Sequence, residues 1–416
     1  MPRRLLPSLL RRNLEFRRFW AGQTISLFGD QVSLLAVPLV AVLVLDAGAA
    51  QMGYLTAVGL APNLLLSLHL GVWVDRRASR RRLMLIADLG RAALLVTIPL
   101  AAAFGVLTLG QLYVVAFGVG CLTVLFFVSY NTLFVALVSK EEYVGANSLL
   151  YGSRALSLVG GQSLGGALVA LLTAPFALLA DAVSFVASAA FLGRIAPAEA
   201  QPVRAERGQV AAGVRFIART PIMRAALGAS ATLNLFNFAF FAIFILYATR
   251  ALGIGPAELG LVLAIGALGG VVGSLATGWL TRRIGIGAAL VVGFVLFPAP
   301  LLLVPLASGT KPAVLALLAA AEFASSLGVM VLDIGLGALF AAIVPDPLRA
   351  RVSGAYMLVN YGVRPLGALL GGALGSAIGL RPTLWLAAAG AITGVLWLLP
   401  SPVPRLRRLP EVASAA

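Results

Sequence analysis

The sequence predicts an all-α integral membrane protein with twelve transmembrane helices in two related six-helix bundles. Of its 416 residues, 60% are hydrophobic and only 11% are charged, and the mean hydropathy of +1.00 lies outside the range of soluble domains. The apolar residues form runs of about 20 or more, which is long enough to cross a bilayer. Two stretches of the first half, Leu133–Val138 and Gly165–Leu168, recur at a constant offset as Leu339–Val344 and Gly371–Leu374. This similarity favours two related halves; chance similarity between Gly-, Ala- and Leu-rich helices is the alternative.

Taken in order, the apolar runs define the predicted spans 19–45, 52–74, 83–106, 110–138, 144–172, 174–194, 221–248, 256–280, 286–307, 312–343, 350–378 and 382–400. The first run follows arginines, as in a signal peptide, but it is too long for one and contains Asp30, so we expect it to remain as the first helix. The remaining segments are the tail 1–18, a bundle over 19–194, a polar linker over 195–220, a bundle over 221–400 and the tail 401–416.

The basic residues predict the orientation of these helices. Most lysines and arginines fall in the tails and in connections on one side, which the bias of basic residues places in the cytoplasm. The exceptions are three predicted external residues and three within spans: Arg250, Lys311, Arg381, Arg91, Arg154 and Arg364. We therefore expect both termini in the cytoplasm and the protein in the plasma or inner membrane.

The net charge of +16 does not indicate nucleic acid as a partner. The basic clusters lie at the ends of apolar runs without interleaved aromatic residues, which is typical of contact with anionic lipid headgroups. The single cysteine, Cys121, excludes an intramolecular disulfide.

Charged residues inside the spans are the first candidates for function, because each costs about 2.5–3.5 kcal/mol to insert. Asp30 in helix 1 and Glu322 in helix 10 each lie about 15 Å from the nearer membrane face at 1.5 Å per residue. We expect Asp30 to pair with Arg154 and Glu322 to pair with Arg364, one pair in each half. Both acids are candidates for binding a proton or a substrate, and the alternative is that each forms a structural ion pair.

Other polar residues within the spans follow helical spacing. Asp88 and Arg91 lie three residues apart on one face, where we expect them to neutralise each other. We interpret Asp181 and Asp333 as structural. Two helix faces combine rings with amides at i, i+3, i+4, i+7 spacing: Phe127, Tyr130, Asn131, Phe134 and Asn234, Asn237, Phe238, Phe241. Such a face suits a bulky lipophilic ligand, including a cationic one, although ordinary helix packing is the alternative.

The sequence contains no motif for ATP-driven transport or for the enzyme classes we considered. No Walker A pattern, dinucleotide fingerprint or zinc-protease histidine pair is present. The segment Gly161-Gln-Ser-Leu-Gly165 matches a hydrolase pattern, but it lies in a predicted membrane helix and His69 is the chain's one histidine. The small residues Gly161, Gly165 and Gly166 instead predict close helix packing.

The loop Gly71–Met84 resembles the loop 2–3 signature of the major facilitator superfamily, with Ala78 and Ser79 where a glycine is usual in mid-loop. Its matching residues are Gly71, Asp75, Arg76, Arg80, Arg81 and Arg82. Helix 5 resembles the antiporter signature, with Gln162 in place of the usual proline. Further stretches resemble the macrolide-efflux branch of the drug–proton antiporters: Phe19–Asp30, Asp88–Arg91, Ala146–Leu149, Asp181–Phe185 and Val344–Asp346.

This resemblance implies a transporter that works by alternating access, with helices 1, 4, 7 and 10 lining a cavity. Nothing in the sequence demands an oligomer, and we expect a monomer. It implies proton-coupled efflux of a lipophilic drug-like or macrolide-like molecule, driven by the proton gradient without a bound cofactor or metal. The loop residues, with Asp88 and Arg91, are implied to form a conformational gate in which Asp75 meets the start of helix 11. Helix 4 lacks the arginine of many drug–proton antiporters, so Asp30 with Arg154 would have to take that role.

Two other kinds of function are open at this point. A dedicated exporter of one metabolite or siderophore, or an uptake symporter, would use the same fold. A membrane sensor or enzyme without transport activity belongs to a different class, and a large soluble insertion or a His/Asp/Cys cluster would favour it. The sequence has neither feature.

Overall fold

The computed structural model describes residues 8–75, 79–196 and 209–409, and within these ranges the ordered elements are helical, with no strand. The α-helices are α1 Ser8–Arg12, α2 Leu14–Leu43, α3 Ala49–Asp75, α4 Arg80–Ala103, α5 Leu109–Leu137, α6 Tyr143–Leu156, α7 Gln162–Leu172, α8 Ala174–Gly193, α9 Gln209–Arg219, α10 Pro221–Arg250, α11 Pro256–Ile284, α12 Ile286–Leu296, α13 Leu303–Leu306, α14 Lys311–Ile343, α15 Arg349–Ala377 and α16 Leu380–Ile392. The predicted all-α membrane fold is therefore confirmed.

Nine helical segments in the described part of the chain are both long and apolar enough to cross a membrane. They are α2, α4, α5, α6 with α7, α8, α10, α11, α12 with α13, and α14. Helices α3 and α15 lie at the predicted spans 52–74 and 350–378, and α16 with the 3₁₀ turn Thr393–Trp397 lies at 382–400.

Several predicted spans are not single regular helices. The span predicted at 144–172 contains a π-helical turn, Ser157–Gly161, between α6 and α7. The span predicted at 286–307 is interrupted by a 3₁₀ turn at Ala299–Leu302, where Pro298 and Pro300 cannot donate backbone hydrogen bonds to a continuous α-helix. The predicted polar linker is not wholly extended, because α9 forms within it and packs against α15.

The chain forms two compact units, of which the first comprises Met1–Ala47, Val58–Ala205 and Gly255–Leu261. Within it α8 packs along both α2 and α4, and α4 also packs on α5. Glycines allow the close approach of α2 to α8: a Cβ on Gly22 would lie 3.2 Å from Phe191 Cβ, and one on Gly29 would lie 2.7 Å from Ser184 Cβ. Helix α7 approaches α2 in the same way, because a Cβ on Gly165 would lie 3.1 Å from Val32 Cα. The small residues of this segment predicted such close packing.

The second unit comprises Gly48–Ala57, Glu206–Ile254 and Val262–Ala416. Its main packings join α10 to α15 and α16, and α12 to α14. A Cβ on Gly371 of α15 would lie 2.7 Å from Ala239 Cα, and one on Gly293 of α12 would lie 3.0 Å from Leu332 Cα. The tight helix crossings of this unit therefore also depend on glycine.

Candidate functional site

A cavity of about 360 Å³ lies within the first unit, between α2, α4, α5 and α6. Its wall combines both signs of charge with aromatic rings and amides. The lining residues are Gln23, Ser26, Leu27, Asp30, Arg91, Thr123, Phe126, Phe127, Tyr130, Asn131, Phe134, Asn147, Leu150, Tyr151 and Arg154. A concave, largely apolar site with a few polar groups has the character of a small-molecule site.

Asp30 places a carboxylate in this cavity. Its neighbour Gly29 faces α8, which holds α2 close to that helix, while the side chain of Asp30 remains 43% exposed. Its Oδ1 atom lies 4.0 Å from Nη1 of Arg91 on α4, at the outer limit of an ion pair. The carboxylate is thus both reachable from the cavity and in contact with a buried cation.

Arg91 is the centre of the buried charges. Its side chain is 3% exposed, and Nη2 donates a hydrogen bond to Oδ1 of Asp88, which is fully buried. Its guanidinium lies between two rings, 4.6 Å from the centroid of Phe126 and 4.0 Å from that of Phe185. The expected Asp88–Arg91 pair is therefore present, and cation–π contacts add to its stability.

Asp181 on α8 is the third acid of this region. Ser33 donates to its Oδ2 and Ser184 donates to its Oδ1, with the Ser184 bond at 3.0 Å. The residue is 1% exposed and lies beside the Cβ position of Gly29, so it adjoins the segment that carries Asp30. We name Asp30, Asp88, Arg91 and Asp181 the charge cluster.

The predicted ion pair between Asp30 and Arg154 is not formed. Among the residues that the structure describes, Arg154 makes no salt bridge within 4.0 Å, and Asp30 meets Arg91 instead. Arg154 lies on α6, which is joined to α2 by a 2.9 Å hydrogen bond between Ser153 and Thr24. This attachment places Arg154 on the same cavity wall as Asp30 without pairing the two charges.

All four of the rings and amides predicted on helix 4 line this cavity: Phe127, Tyr130, Asn131 and Phe134. The Tyr130 and Phe134 rings stack at 6.5 Å with an interplanar angle of 10°, and Tyr130 also contacts Phe19 at 5.2 Å. Phe127 is 61% exposed. The helix therefore contributes both packing rings and rings that face open space.

In the second unit, Arg364 is held by neutral groups rather than by an acid. Its Nε donates to Oδ1 of Asn234 at 3.1 Å, and its guanidinium lies 4.5 Å from the ring centroid of Tyr361 and 5.2 Å from that of Phe238. The predicted pair of Arg364 with Glu322 is absent, since neither side chain makes a salt bridge with any described residue.

Glu322 and two other predicted residues of the second unit are packing or buried groups. Glu322 is 5% exposed beside Gly266, and its Oε1 has no hydrogen-bond partner among the described residues. The buried Oδ1 atom of Asn237 likewise has no hydrogen-bond partner among the described residues. Phe241 packs on Phe240 and Phe244. A second cavity of about 370 Å³ is lined by Asp333 and other residues, but not by Glu322.

The predicted gate residues lie only partly within the described structure. Arg76 falls outside the described residues, and of Gly71 and Asp75 only the backbone is described, as part of α3. Arg81 donates to the carbonyl of Ile195, just beyond the C-terminus of α8. Arg80 is buried and Arg82 is exposed.

Sequence reasoning missed the contact between Asp30 and Arg91 and the proximity of Asp181. The available signal was the number of charges: the predicted first bundle places Asp30, Asp88 and Asp181 in spans with only two arginines. The prediction paired Arg91 with Asp88 only and therefore did not consider it as a partner of Asp30. One guanidinium can bind two carboxylates, because it has several separate N–H groups.

The comparisons with known proteins agree with this fold. A model of the family described as "Transmembrane secretion effector" matches residues 8–415. The multidrug efflux pump Tap of Mycolicibacterium fortuitum is 27% identical over 410 residues, covering 92% of this chain and 93% of that protein.

Solved structures of transporters also superpose over nearly the whole chain. A bacterial homologue of the iron transporter ferroportin in an inward-facing state has a TM-score of 0.72 at 18% identity, covering 95% of this chain and 99% of that one. The nucleoside transporter NupG has a TM-score of 0.70 at 14% identity, covering 92% and 98%. Identities this low show the fold alone.

The sequence-based identification is thus confirmed by a family match over almost the full length. The chain belongs to the transmembrane secretion effector family of the major facilitator superfamily, and it is a multi-pass membrane transporter rather than an enzyme.

Proposed function

We propose that this transporter exports a lipophilic, drug-like or macrolide-like small molecule in exchange for protons. The observation that carries the proposal is a cavity-facing carboxylate, Asp30, joined to buried Arg91 and Asp88 in a site walled by aromatic rings. The similarity to a multidrug efflux pump supports the direction of transport and the class of substrate.

The charge cluster supports proton binding because its charges do not balance. The charge cluster holds three carboxyl groups but only one guanidinium, that of Arg91, so full ionisation would leave two uncompensated negative charges. Asp88 and Asp181 are at most 1% exposed, and burying an uncompensated carboxylate is costly. A bound proton removes part of that cost, and Asp30 is the member of the cluster that the cavity can reach.

Coupling follows if the proton and the substrate compete for Asp30. Ionised, Asp30 attracts a cationic substrate and Arg91; protonated, it attracts neither strongly. Two ligands exchange across a membrane only if they favour different states of the protein, because equal affinities for both states shift no equilibrium. Protonation of Asp30 from outside would therefore release the substrate, and release of the proton inside would restore the site.

The setting we propose for this cycle is the plasma or inner membrane, with both termini in the cytoplasm. The basic residues at the ends of the spans support that orientation. We also propose that a single chain is the working unit, because the cavity is built within one unit of one chain.

The first prediction is that Asp30→Asn abolishes proton-driven efflux. The amide cannot carry the negative charge that binds a cation and a proton in turn. Retention of radiolabelled erythromycin and rhodamine 110 is measured in cells with and without the protein, before and after a protonophore collapses the gradient. Wild type should lower retention only while the gradient exists, and the variant should not lower it.

Glu141→Gln is the matched control, because Glu141 is an exposed acid in the 3₁₀ turn Lys140–Glu142, away from the charge cluster. It should behave as wild type at equal protein level in the membrane. Wild-type efflux that survives collapse of the gradient would remove proton coupling from the proposal. Equal retention of every compound with and without the wild-type protein would remove export itself.

A further inference from the structure

Arg154 is a cation in the cavity that the proposed mechanism does not use. It lies on α6, is exposed, and lines the cavity together with Asp30. Among the described residues no carboxylate lies within 4.0 Å of its guanidinium, and no hydrogen bond from its side chain is formed. By contrast, Arg91, the other arginine of this wall, is buried and bound to Asp88.

A cation inside a transmembrane span is unfavourable to insert, so such a residue usually either pairs with an anion or takes part in function. A bound molecule can supply the partner. If the substrate were only a lipophilic cation, Arg154 would repel it and oppose the attraction of Asp30. The two charges favour the same ligand only when that ligand carries both signs.

The remaining wall fits such a ligand. Phe126, Tyr130 and Phe134 form a ladder of rings on α5, with neighbouring centroids 6.5 Å apart. A flat aromatic ligand can stack on exposed Phe127 while its charged ends meet residues of α2 and α6. An arginine is suited to a planar acidic group, because its guanidinium can donate two parallel hydrogen bonds to a carboxylate.

We infer that the preferred substrates are amphoteric: aromatic molecules that carry a cationic group for Asp30 and an acidic group for Arg154. This inference rests on the proposed function, because it takes the cavity as the substrate site, and it narrows the substrate class. Arg154 acts as a specificity-determining residue that selects amphoteric molecules over simple cations.

Equilibrium binding to the purified full-length protein in lipid nanodiscs tests the inference without any proton gradient. The probes share one ring system: rhodamine 110 carries a free carboxylate, rhodamine 123 is its methyl ester, and fluorescein lacks the cationic nitrogen. Wild type should bind rhodamine 110 about tenfold or more tightly than either other dye, which is the effect of one charge-assisted hydrogen bond.

The variants separate a role in selectivity from a structural role. Arg154→Gln should remove the preference for rhodamine 110 over rhodamine 123, leaving rhodamine 123 bound as in wild type or more tightly. Arg154→Lys should keep part of the preference, because it keeps the charge but loses the two-pronged geometry. Arg219→Gln, a change at an exposed arginine of α9, is the matched control and should keep the wild-type ratio.

Three results would overturn the inference: an unchanged dye ratio in Arg154→Gln, equal loss of both dyes in that variant, or no saturable binding of rhodamine 110 to wild type. Equal loss would indicate that Arg154 supports the fold or pairs with Asp30 in another conformation. Failure of proton coupling is recognised separately, because it changes gradient-dependent efflux and leaves the equilibrium dye ratio as it is.

Discussion

Arg91 shows how one side chain can join the structural and functional parts of this unit. It holds Asp88 with one N–H group, approaches Asp30 with another and stacks between Phe126 and Phe185. Arginine suits this position better than lysine, because its planar group is weakly hydrated and can both stack on rings and donate in several directions. The protein thereby pairs Asp88 closely with Arg91 and leaves Asp30 only loosely paired.

At this scale we predict that Arg91→Gln destabilises the protein by about 3–5 kcal/mol, because it leaves the Asp88 carboxylate buried without its cation. Adding Asp88→Asn should restore a large part of that loss, since a neutral pair avoids the buried charge. The midpoint of thermal unfolding in detergent, followed by tryptophan fluorescence, measures the single and double variants. If the two losses simply add, Arg91 and Asp88 are not coupled and the description of the cluster is wrong.

Ion pairs were predictable only where both partners lie on one helix. The Asp88–Arg91 pair followed from i, i+3 spacing, and it is present. The pairs Asp30–Arg154 and Glu322–Arg364 joined different helices by depth alone, and neither is formed. The position of a residue along its span predicts its depth in the membrane. A contact between two helices also requires that both side chains face each other, which depth does not determine.

Among the helices, the contact of α2 with α8 controls the position of Asp30. Gly22 and Gly29 allow the two backbones to approach, and Ser33 of α2 donates to Asp181 of α8. The π-helical turn Ser157–Gly161 lies on the other side of α2, where a Cβ on Gly161 would be 2.8 Å from Gln31 Cβ. Helix α2 is thus held closely on both sides of the segment that carries the acid.

Gly29→Ala tests this contact. The added methyl group would overlap Ser184 and Asp181, and we expect a loss of about 1–3 kcal/mol in the free energy of unfolding together with weaker transport. Gly145→Ala on α6 is the matched control, because no atom lies within 4 Å of its Cβ position. That change should be neutral or stabilise the helix by up to about 1 kcal/mol. Equal stability of the two variants in thermal unfolding would contradict the close packing of α2 on α8.

For the whole molecule, the two units share helical architecture but differ in their charged groups. The first unit places a carboxylate in one cavity together with a guanidinium that pairs with no acid in the described part of the chain. The second holds Arg364 on Asn234 and two rings, and buries Glu322, whose Oε1 accepts no hydrogen bond from the residues that the structure describes. From this asymmetry we propose that substrate and proton binding depend mainly on the first unit.

We therefore predict that Glu322→Gln keeps proton-driven efflux within about twofold of wild type, in contrast to Asp30→Asn. Glutamine matches the size of glutamate, and an isolated buried carboxyl group with no cation beside it gains little from its capacity to ionise. Efflux of rhodamine 110 with and without a protonophore measures the effect at matched protein levels. Loss of coupling in Glu322→Gln would show that the second unit takes part in proton transfer.

The sequence alone was sufficient for the membrane class, the approximate places of the spans, the family and the candidate acids. These follow from composition, run length and local motifs, which do not depend on how distant segments meet. Only the tertiary structure decided that Asp30 lies beside Arg91 rather than Arg154, and that Asp181 adjoins the same segment. The physical reason is that partner choice between helices depends on their crossing and rotation, which here are set by contacts at Gly22, Gly29 and Gly161 that hydropathy does not encode.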